Sequence, residues 1–346
     1  MAPRYPRVPR YAPQRHHGHV PESARRSLLL DSASLYYRSF YALPDTLVSP
    51  DNVPVNAVRG FLDTVAALVS SRGSSSVIAC WDDDWRPQWR VDLVPTYKTH
   101  RVLDASDADA SLGDDRSDGS AEDIPDTLGP QVTMLRQLLP HLGIPVVGAC
   151  DAEADDVIAD LAHILAGPID IASGDRDLVQ LVDDRVTLLF TGGSSASRGG
   201  SPWLTLDPAT AQERFGVPPH LYADFAILRG DPSDGLPGAR GIGEKTAGAL
   251  IRAFGDLTAI MDAAEDPSTP APMTPATRRK LLEAAPTLLA AEAVVRLGHV
   301  PGRTMAVDVA SGQSSGDIGA AMHLATTWGV EAPTRRLVEA LQADTA

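Results

Sequence analysis

Three carboxylates, Glu153, Asp155 and Asp156, crowd into four positions at the start of an apolar helical pattern. Acidic side chains suit the first turn of a helix, where free N–H groups and the dipole favour negative charge. One such residue is a cap. Three side by side repel and raise one another's pKa unless a cation neutralises them. An oxygen-only cluster favours Mg²⁺ or Mn²⁺ over zinc. The competing reading is an acidic helix start on a solvated face, and this stretch alone leaves both open. Asp31, Asp82, Asp175, Asp177 and Asp234 supply further acid. Hydrolysis of a phosphodiester needs an activated water, charge neutralisation on the phosphate and stabilisation of the departing oxygen. Two divalent ions about 4 Å apart can supply all three. Holding them takes a surplus of carboxylates, because Mg²⁺ keeps several waters and binds each protein ligand sparingly. In Asp175-Arg-Asp177 the i, i+2 spacing aims both acids to one side if the chain stays extended. Glu153 and Asp156 share a helix face at i, i+3. Asp160, one turn on, could join them or else lie in solvent, and the solvated reading is the expectation.

The elements that must position these acids alternate. Ser27–Asp31 and Ser76–Asp82 read as buried strands that end on carboxylates, with helical periodicity over Asn56–Val69 between them. A helix over Gln131–Leu142, a strand over Pro145–Val147, the acidic helix Glu153–Leu165 and strands Ile169–Ser173 and Val186–Phe190 follow. Such alternation predicts an α/β fold, a mostly parallel central sheet flanked by helices. Ligands of such sheets bind beyond the carboxyl ends of the strands, where Asp31, Asp82 and Asp175 would sit. From Leu206 the pattern changes to short helices, Pro208–Phe215 and Pro219–Leu228 among them, which sets a domain boundary near residue 205.

Within that second region, Leu236-Pro-Gly238-Ala-Arg240-Gly241-Ile-Gly243-Glu-Lys245-Thr246 is neither a P-loop nor a dinucleotide fingerprint. Glu244 interrupts the GK[ST] order, no strand precedes it, and Thr246 stands where a third Gly should be. A tight Gly turn entering a helix presents N–H groups to a phosphate, and a helix-hairpin-helix uses this to grip a DNA backbone without reading sequence. An ordinary helical turn is the competing reading. Arg90, Tyr97, Lys98 and Arg101 follow the second strand and suit a phosphate clamp with a stacking platform, or else a solvated basic face. Arg38, in Tyr-Tyr-Arg-Ser-Phe-Tyr, invites the same two readings.

Length and a hydrophobic content of 43% allow a sizeable core in 346 residues, and no apolar run is long enough to span a membrane. The Pro-rich basic stretch 1–26 lacks the apolar region of a secretory signal and reads as a disordered tail. Cys80 and Cys150 are too few for a disulfide framework and read as buried reduced thiols of a cytoplasmic protein. A net charge of −15 argues at first sight against a polyanionic partner. Much of that acid, however, lies in the Asp/Ser/Gly-rich segment 102–124 and in the clusters that metal ions would cancel. The global sign therefore excludes little.

In order, the motifs Leu-Leu-Leu-Asp31…Tyr-Arg38-Ser-Phe-Tyr, Asp82…Arg90…Tyr97-Lys98-x-x-Arg101, Glu153-Ala-Asp155-Asp156, Gly-Asp175-Arg-Asp177 and Gly-Asp231-Pro-Ser-Asp234-Gly…Gly241-Ile-Gly243-Glu-Lys245-Thr246 resemble the bacterial 5′–3′ exonuclease (flap endonuclease) family. The same module forms the 5′-nuclease domain of DNA polymerase I. The resemblance implies a PIN-like nuclease domain over 27–205. It carries a helical arch at about 86–130 with an acidic insertion at 102–124. A helix-three-turn-helix domain over 206–300 would follow, with a C-terminal segment, 301–346, packing back on the nuclease domain.

The resemblance also assigns roles. Asp31, Asp82, Glu153, Asp155, Asp156, Asp175, Asp177, Asp231 and Asp234 would form a two-metal Mg²⁺ or Mn²⁺ cluster. Lys98 and Arg101 would approach the scissile phosphate, Tyr97 would stack on the end nucleotide, and Arg38 and Arg90 would contact the phosphate backbone. Gly238, Arg240, Gly241, Gly243, Lys245 and Thr246 would hold the downstream duplex, with K⁺ on backbone carbonyls. Gly235 departs from the usual Asn.

The sequence ends at Ala346, so the expectation is a stand-alone cytoplasmic monomer that acts on 5′ flaps, nicked, gapped or 5′-recessed duplex, or RNA primers, in replication and repair. A DNA-binding paralogue that has lost catalysis is the alternative of another class, and a PIN-type ribonuclease is a third.

Overall fold

The computed structural model describes residues 26–73, 76–102, 125–192, 202–298, 303 and 316–343. The expected tail (1–26) except Arg26, and the expected acidic insertion (102–124) except Val102, lie outside these residues.

Six strands form one sheet in the order β3-β2-β1-β4-β5-β6. They are β1 (Ser27–Asp31), β2 (Ser76–Cys80), β3 (Val146–Val147), β4 (Ile169–Ser173), β5 (Val186–Phe190) and β6 (Leu204–Leu206). The first five run parallel; β6 pairs antiparallel with β5, an edge strand that three residues of sequence do not announce. The near-continuous apolar runs arise because both faces of a parallel sheet are covered. Alternate residues divide between two cores: Leu29, Ile78, Ile171 and Leu188 face one, and Leu28, Leu30, Val77 and Ala172 the other.

The second of those cores is closed by α1 (Ser32–Ala42), α2 (Asn56–Arg72) and α4 (Gly129–His141), with α11 (Ile318–Trp328) packed on α4 and α12 (Glu331–Ala343) on α2. The first is closed by α5 (Ala154–Ile164) and the helices that follow the sheet: α7 (Tyr222–Arg229), α8 (Glu244–Phe254), α9 (Leu257–Glu265) and α10 (Pro275–Val295). A short helix, α3 (Gln88–Leu93), follows β2 and touches α10. α6 (Pro208–Phe215) begins where the sequence expects, because Asp207 caps the Thr210 N–H and Pro208 occupies the first turn. The expected helix over 219–228 divides into a 3₁₀ turn at Pro219–Leu221 and α7. Among the described residues no helix is long and apolar enough to cross a membrane.

The chain leaves β1 for β2 on one side and later returns to β4 on the other. A switch of direction therefore opens at the carboxyl end of β1, the place where open α/β sheets bind ligands.

Candidate active site at the sheet edge

Asp31 is the last residue of β1 and also the N-cap of α1: its Oδ1 accepts from the Ser34 N–H at 3.1 Å, and Oδ2 from the Ser173 hydroxyl. Asp82 follows β2 and accepts the Ala154 N–H at 2.6 Å, tying the start of α5 to the neighbouring strand end. Glu153 caps α5, and Asp155 and Asp156 fill its first turn. After β4 the chain turns instead of staying extended. Ser173 Oγ accepts the Asp175 N–H at 2.8 Å, Asp175 Oδ1 accepts the Asp177 N–H at 2.7 Å, and a 3₁₀ turn starts at Asp177. The i, i+2 alignment expected of a strand is thus replaced by a turn that still brings both acids to one cleft.

That cleft has two adjoining parts. A cavity of about 260 Å³ is lined by Asp31, Asp82, Glu153, Asp155 and Asp175, with Lys98 and Arg101. A smaller recess shares Glu153, Asp155, Asp175, Lys98 and Arg101 and adds Asp177, Asp234, Arg90 and Tyr97. Burial, with Asp82 next in weight, pushes the Asp31 carboxyl up to about 7. Burial and the neighbouring acids likewise raise Asp155 and Asp177 strongly, and burial raises Asp82 and Asp175. Side chains on four separate elements are held together against their own repulsion.

Two of the nine expected acids turn elsewhere. Asp156 receives both Arg90 Nη atoms at 2.8 and 3.0 Å, with Arg303 at 3.7 Å. Burial alone would raise its pKa, but Arg90 and Arg303 override it and the pKa falls. Asp231 binds Arg176 at 3.0 Å and Arg229 at 3.3 Å and caps the Ser233 N–H. Neither lines the cleft. Asp160, expected in solvent, is fully buried, with Arg303 Nη1 2.8 Å from its Oδ2.

The expected clamp residues are also drawn inward. The Tyr97 hydroxyl donates to Glu153 Oε1 at 2.7 Å and the ring is buried; Lys98 pairs with Glu153, and Arg101 reaches Asp234 at 3.2 Å. Arg90 is 2% exposed. Arg38 is exposed and lines an open groove with Tyr41 and Gly174, next to the acidic cleft. Cys80 is buried as expected, whereas Cys150 is exposed.

Does this donor set suit a cation? It contains carboxylate oxygen only, the preference of Mg²⁺ and Mn²⁺. Asp177 Oδ1 is buried with no hydrogen-bond partner among the described residues, an acceptor in need of positive charge. No three of the described acidic, His or Cys side chains close directly on one point. An ion that keeps several waters asks for only one or two direct carboxylates. The residues fit such an ion.

The glycine hairpin lies between α7 and α8. Gly238 and Gly241 adopt φ of +59° and +78°, conformations that a side chain would strain, and Gly243 caps α8. Arg240, Gly241, Gly243 and Lys245 are exposed, and Thr246 is half-buried. The Gly241 carbonyl already accepts Lys280 Nζ at 2.9 Å.

Comparison with known proteins agrees with this architecture. The N-terminal resolvase-like domain of 5′-3′ exonucleases matches residues 26–216, and the C-terminal SAM fold of 5′-3′ exonucleases matches 217–308. The chain belongs to the 5′-3′ exonuclease family. A 5′-3′ exonuclease of Streptomyces coelicolor is 45% identical over 319 residues, covering 91% of this chain and 100% of that protein. One from Mycobacterium tuberculosis is 41% identical over 323 residues, with 91% and 97% covered. DNA polymerase I of Mycobacterium bovis is 34% identical over 239 residues, 68% of this chain and 24% of the polymerase. Among solved structures, T5 D15 protein co-crystallised with metal ions has the same fold, with a TM-score of 0.55 at 16% identity, covering 93% of this chain and 100% of that one.

Within the family pattern, Gly235 has a steric reason. Its φ is +70°, and an added Cβ would lie 2.0 Å from the Thr96 carbonyl oxygen. The 96–101 stretch rests on this turn: Lys98 N–H donates to Asp234 O at 3.1 Å, Thr96 Oγ1 to Gly235 O at 2.7 Å, and Arg101 to Ser233 O at 3.1 Å. Asn tolerates a left-handed backbone, so Gly235→Asn isolates the clash from the strain. It is expected to destabilise the fold by about 1–3 kcal/mol in denaturant unfolding. Unchanged stability would mean that the two turns do not touch in solution. Sequence reasoning missed Arg303, which carries no local signal. Asp160 was singled out, but its burial against Arg303 depends on that distant partner.

Proposed function

We propose that this chain is a divalent-metal-dependent 5′-3′ exonuclease and 5′ flap endonuclease that hydrolyses DNA phosphodiester bonds. The observation that carries the reading is the single cleft shared by Asp31, Asp82, Glu153, Asp155, Asp175, Asp177 and Asp234, with Lys98 and Arg101 among them. These seven carboxylates would hold the metal. Two divalent ions held there would supply charge neutralisation, water activation and leaving-group stabilisation.

The chain's own side chains do the rest. Burial opposes the charge on Lys98, but Glu153 together with Tyr97, Asp234 and Asp82 more than offsets it, and the ammonium stays protonated well above its ordinary range. Lys98 is thus a fixed cation for the scissile phosphate, and Arg101 a second. Both must exchange a carboxylate partner for phosphate when a strand enters, so substrate charge and site charge are balanced against each other. The Tyr97 ring braces Lys98 at 5.3 Å from its centroid, and its hydroxyl orients Glu153. Arg38, on the open side of the cleft, would hold the backbone of the incoming strand. The hairpin at 238–246 would bind the downstream duplex through backbone N–H groups, Arg240 and Lys245. K⁺ is not required by this reading, because Lys280 already supplies a cation at the turn.

The chain's similarity to 5′-3′ exonucleases and to DNA polymerase I supports DNA as the substrate. In this reading a monomer acts in the cytoplasm on 5′ flaps, nicked, gapped and 5′-recessed duplexes and RNA primers, met in replication and repair. The T5 D15 flap endonuclease and the catalytic core of Rad2, both solved with DNA, share the fold. The test is cleavage of a 5′-labelled flap, a nicked duplex and single-stranded DNA side by side, with product lengths mapped. The flap is expected to be cut fastest, near its junction; cutting of single strands alone would refute the reading. Arg240→Ala is expected to weaken binding evenly across sequences and to reduce the salt slope by about 1. An unchanged slope in a binding titration would remove Arg240 from the interface.

A further inference from the structure

The helix α5 presents acid on two sides. Asp155 lines the cleft, while Asp156 and Asp160, one turn apart, point away from it into the protein. Both receive the same residue, Arg303, from beyond the helical region. Its Nη1 lies 2.8 Å from Asp160 Oδ2 and its Nη2 3.7 Å from Asp156 Oδ1. Asp156 passes the contact on to Arg90, whose Nη1 is also 3.1 Å from Glu153 Oε1. Glu153 in turn pairs with Lys98.

We propose that Arg303 is a positioning residue of the nuclease site, acting through Asp156 and Arg90 on Glu153 and Lys98. The inference rests on the nuclease reading above. The chain of contacts alternates in sign, and three anions (Asp160, Asp156, Glu153) face three cations (Arg303, Arg90, Lys98). All six are largely withdrawn from water; the most exposed, Arg303, has a side chain 12% exposed. Buried carboxylates are costly unless paired, so this balance has to be kept. Removing Arg303 takes a cation away from both Asp156 and Asp160. Arg90 is then drawn toward Asp156 and away from Glu153, and Glu153 gains freedom at the wall of the cleft. The end of α10 also leans on the site, since Arg90 Nε approaches Val294 O at 3.4 Å and Gln180 donates to Val295 O at 3.1 Å. The end of α10 and Arg303 therefore both back the acidic side of the cleft.

The test compares flap cleavage, Mn²⁺ dependence and thermal unfolding for the wild type, Arg303→Lys, Arg303→Met and Arg303→Met with Asp160→Asn. Arg303→Met is expected to lose about 10–100-fold in kcat and to need more Mn²⁺ for half-activity. KM for the flap should stay unchanged, and Arg303→Lys should recover part of kcat. The double variant removes the Asp160 charge that faced Arg303, so it should regain thermal stability while kcat stays low. A double variant that recovers kcat along with stability, or an Arg303→Met protein with wild-type kcat and Mn²⁺ dependence, would overturn the proposal. A wild type that cleaves nothing would instead strike at the nuclease reading itself.

Discussion

Replacing Asp155 with Asn is expected to lower cleavage of a 5′-flap duplex by about three orders of magnitude, equivalent to about 4 kcal/mol of lost transition-state stabilisation. Duplex affinity through the hairpin should persist, since Asp155 lies on the cleft and the hairpin between α7 and α8. The same substitution should alter stability with a sign opposite to that of most buried changes. Asp155 is raised well above the ordinary 3.8 by burial and then by Asp175 and Asp31. A carboxyl whose folded pKa exceeds its unfolded one stabilises the fold most below the unfolded value and loses that contribution as pH rises through the folded value. For Asp31 the window runs from 3.8 to about 7. In EDTA the wild type should therefore lose stability across that window. Asp155→Asn should be the more stable protein above it, and added Mg²⁺ should close the gap by stabilising the wild type alone. Thermal unfolding with and without Mg²⁺ checks this; a variant less stable than the wild type in EDTA at high pH would contradict it.

Arg90→Met should act mainly on the fold. The guanidinium serves Asp156 and Glu153 from a fully buried position, so truncation leaves carboxylate charge unmatched, at a cost of about 3–5 kcal/mol. Asp156 has a lowered folded pKa, so the stability it contributes is present above the ordinary 3.8 and lost as pH falls through the folded value. The penalty of Arg90→Met should accordingly shrink on acidification. Denaturant unfolding at neutral and acidic pH measures both effects. A variant that keeps its stability but loses part of the salt dependence of DNA binding would return Arg90 to the phosphate-contact role that the sequence suggested.

The fold was legible where one local rule decided the outcome. Ser27–Asp31, Ile169–Ser173 and Val186–Phe190 coincide with their expected limits, because each is a short apolar run stopped by Asp, Gly or a polar turn. The cleft was legible in part: parallel strands bring their carboxyl ends together, so acids at those ends had to converge. What could not be read was rotation and turn geometry. Asp155 and Asp156 are adjacent, and only the packing of α5 decides which one faces the cleft. Asp175 and Asp177 follow a strand, but Ser173 Oγ and Asp175 Oδ1 capture N–H groups and bend the chain. Asp231 is diverted by Arg176 and Arg229, and Asp156 by Arg90 and Arg303, partners set by tertiary contact. The Tyr97 ring, expected at an exposed nucleotide, is instead part of the wall.

The central claim is that the seven cleft carboxylates work by holding divalent cations. The most direct measurement is cleavage of a 5′-labelled flap duplex by wild-type protein as Mn²⁺ is titrated in from EDTA, with Asp155→Asn and Asp177→Asn run alongside. The expected result is no product in EDTA, product that rises with Mn²⁺ for the wild type, and neither variant restored at any Mn²⁺ concentration. Wild-type cleavage that proceeds equally in EDTA, or variants that match the wild type, would contradict it.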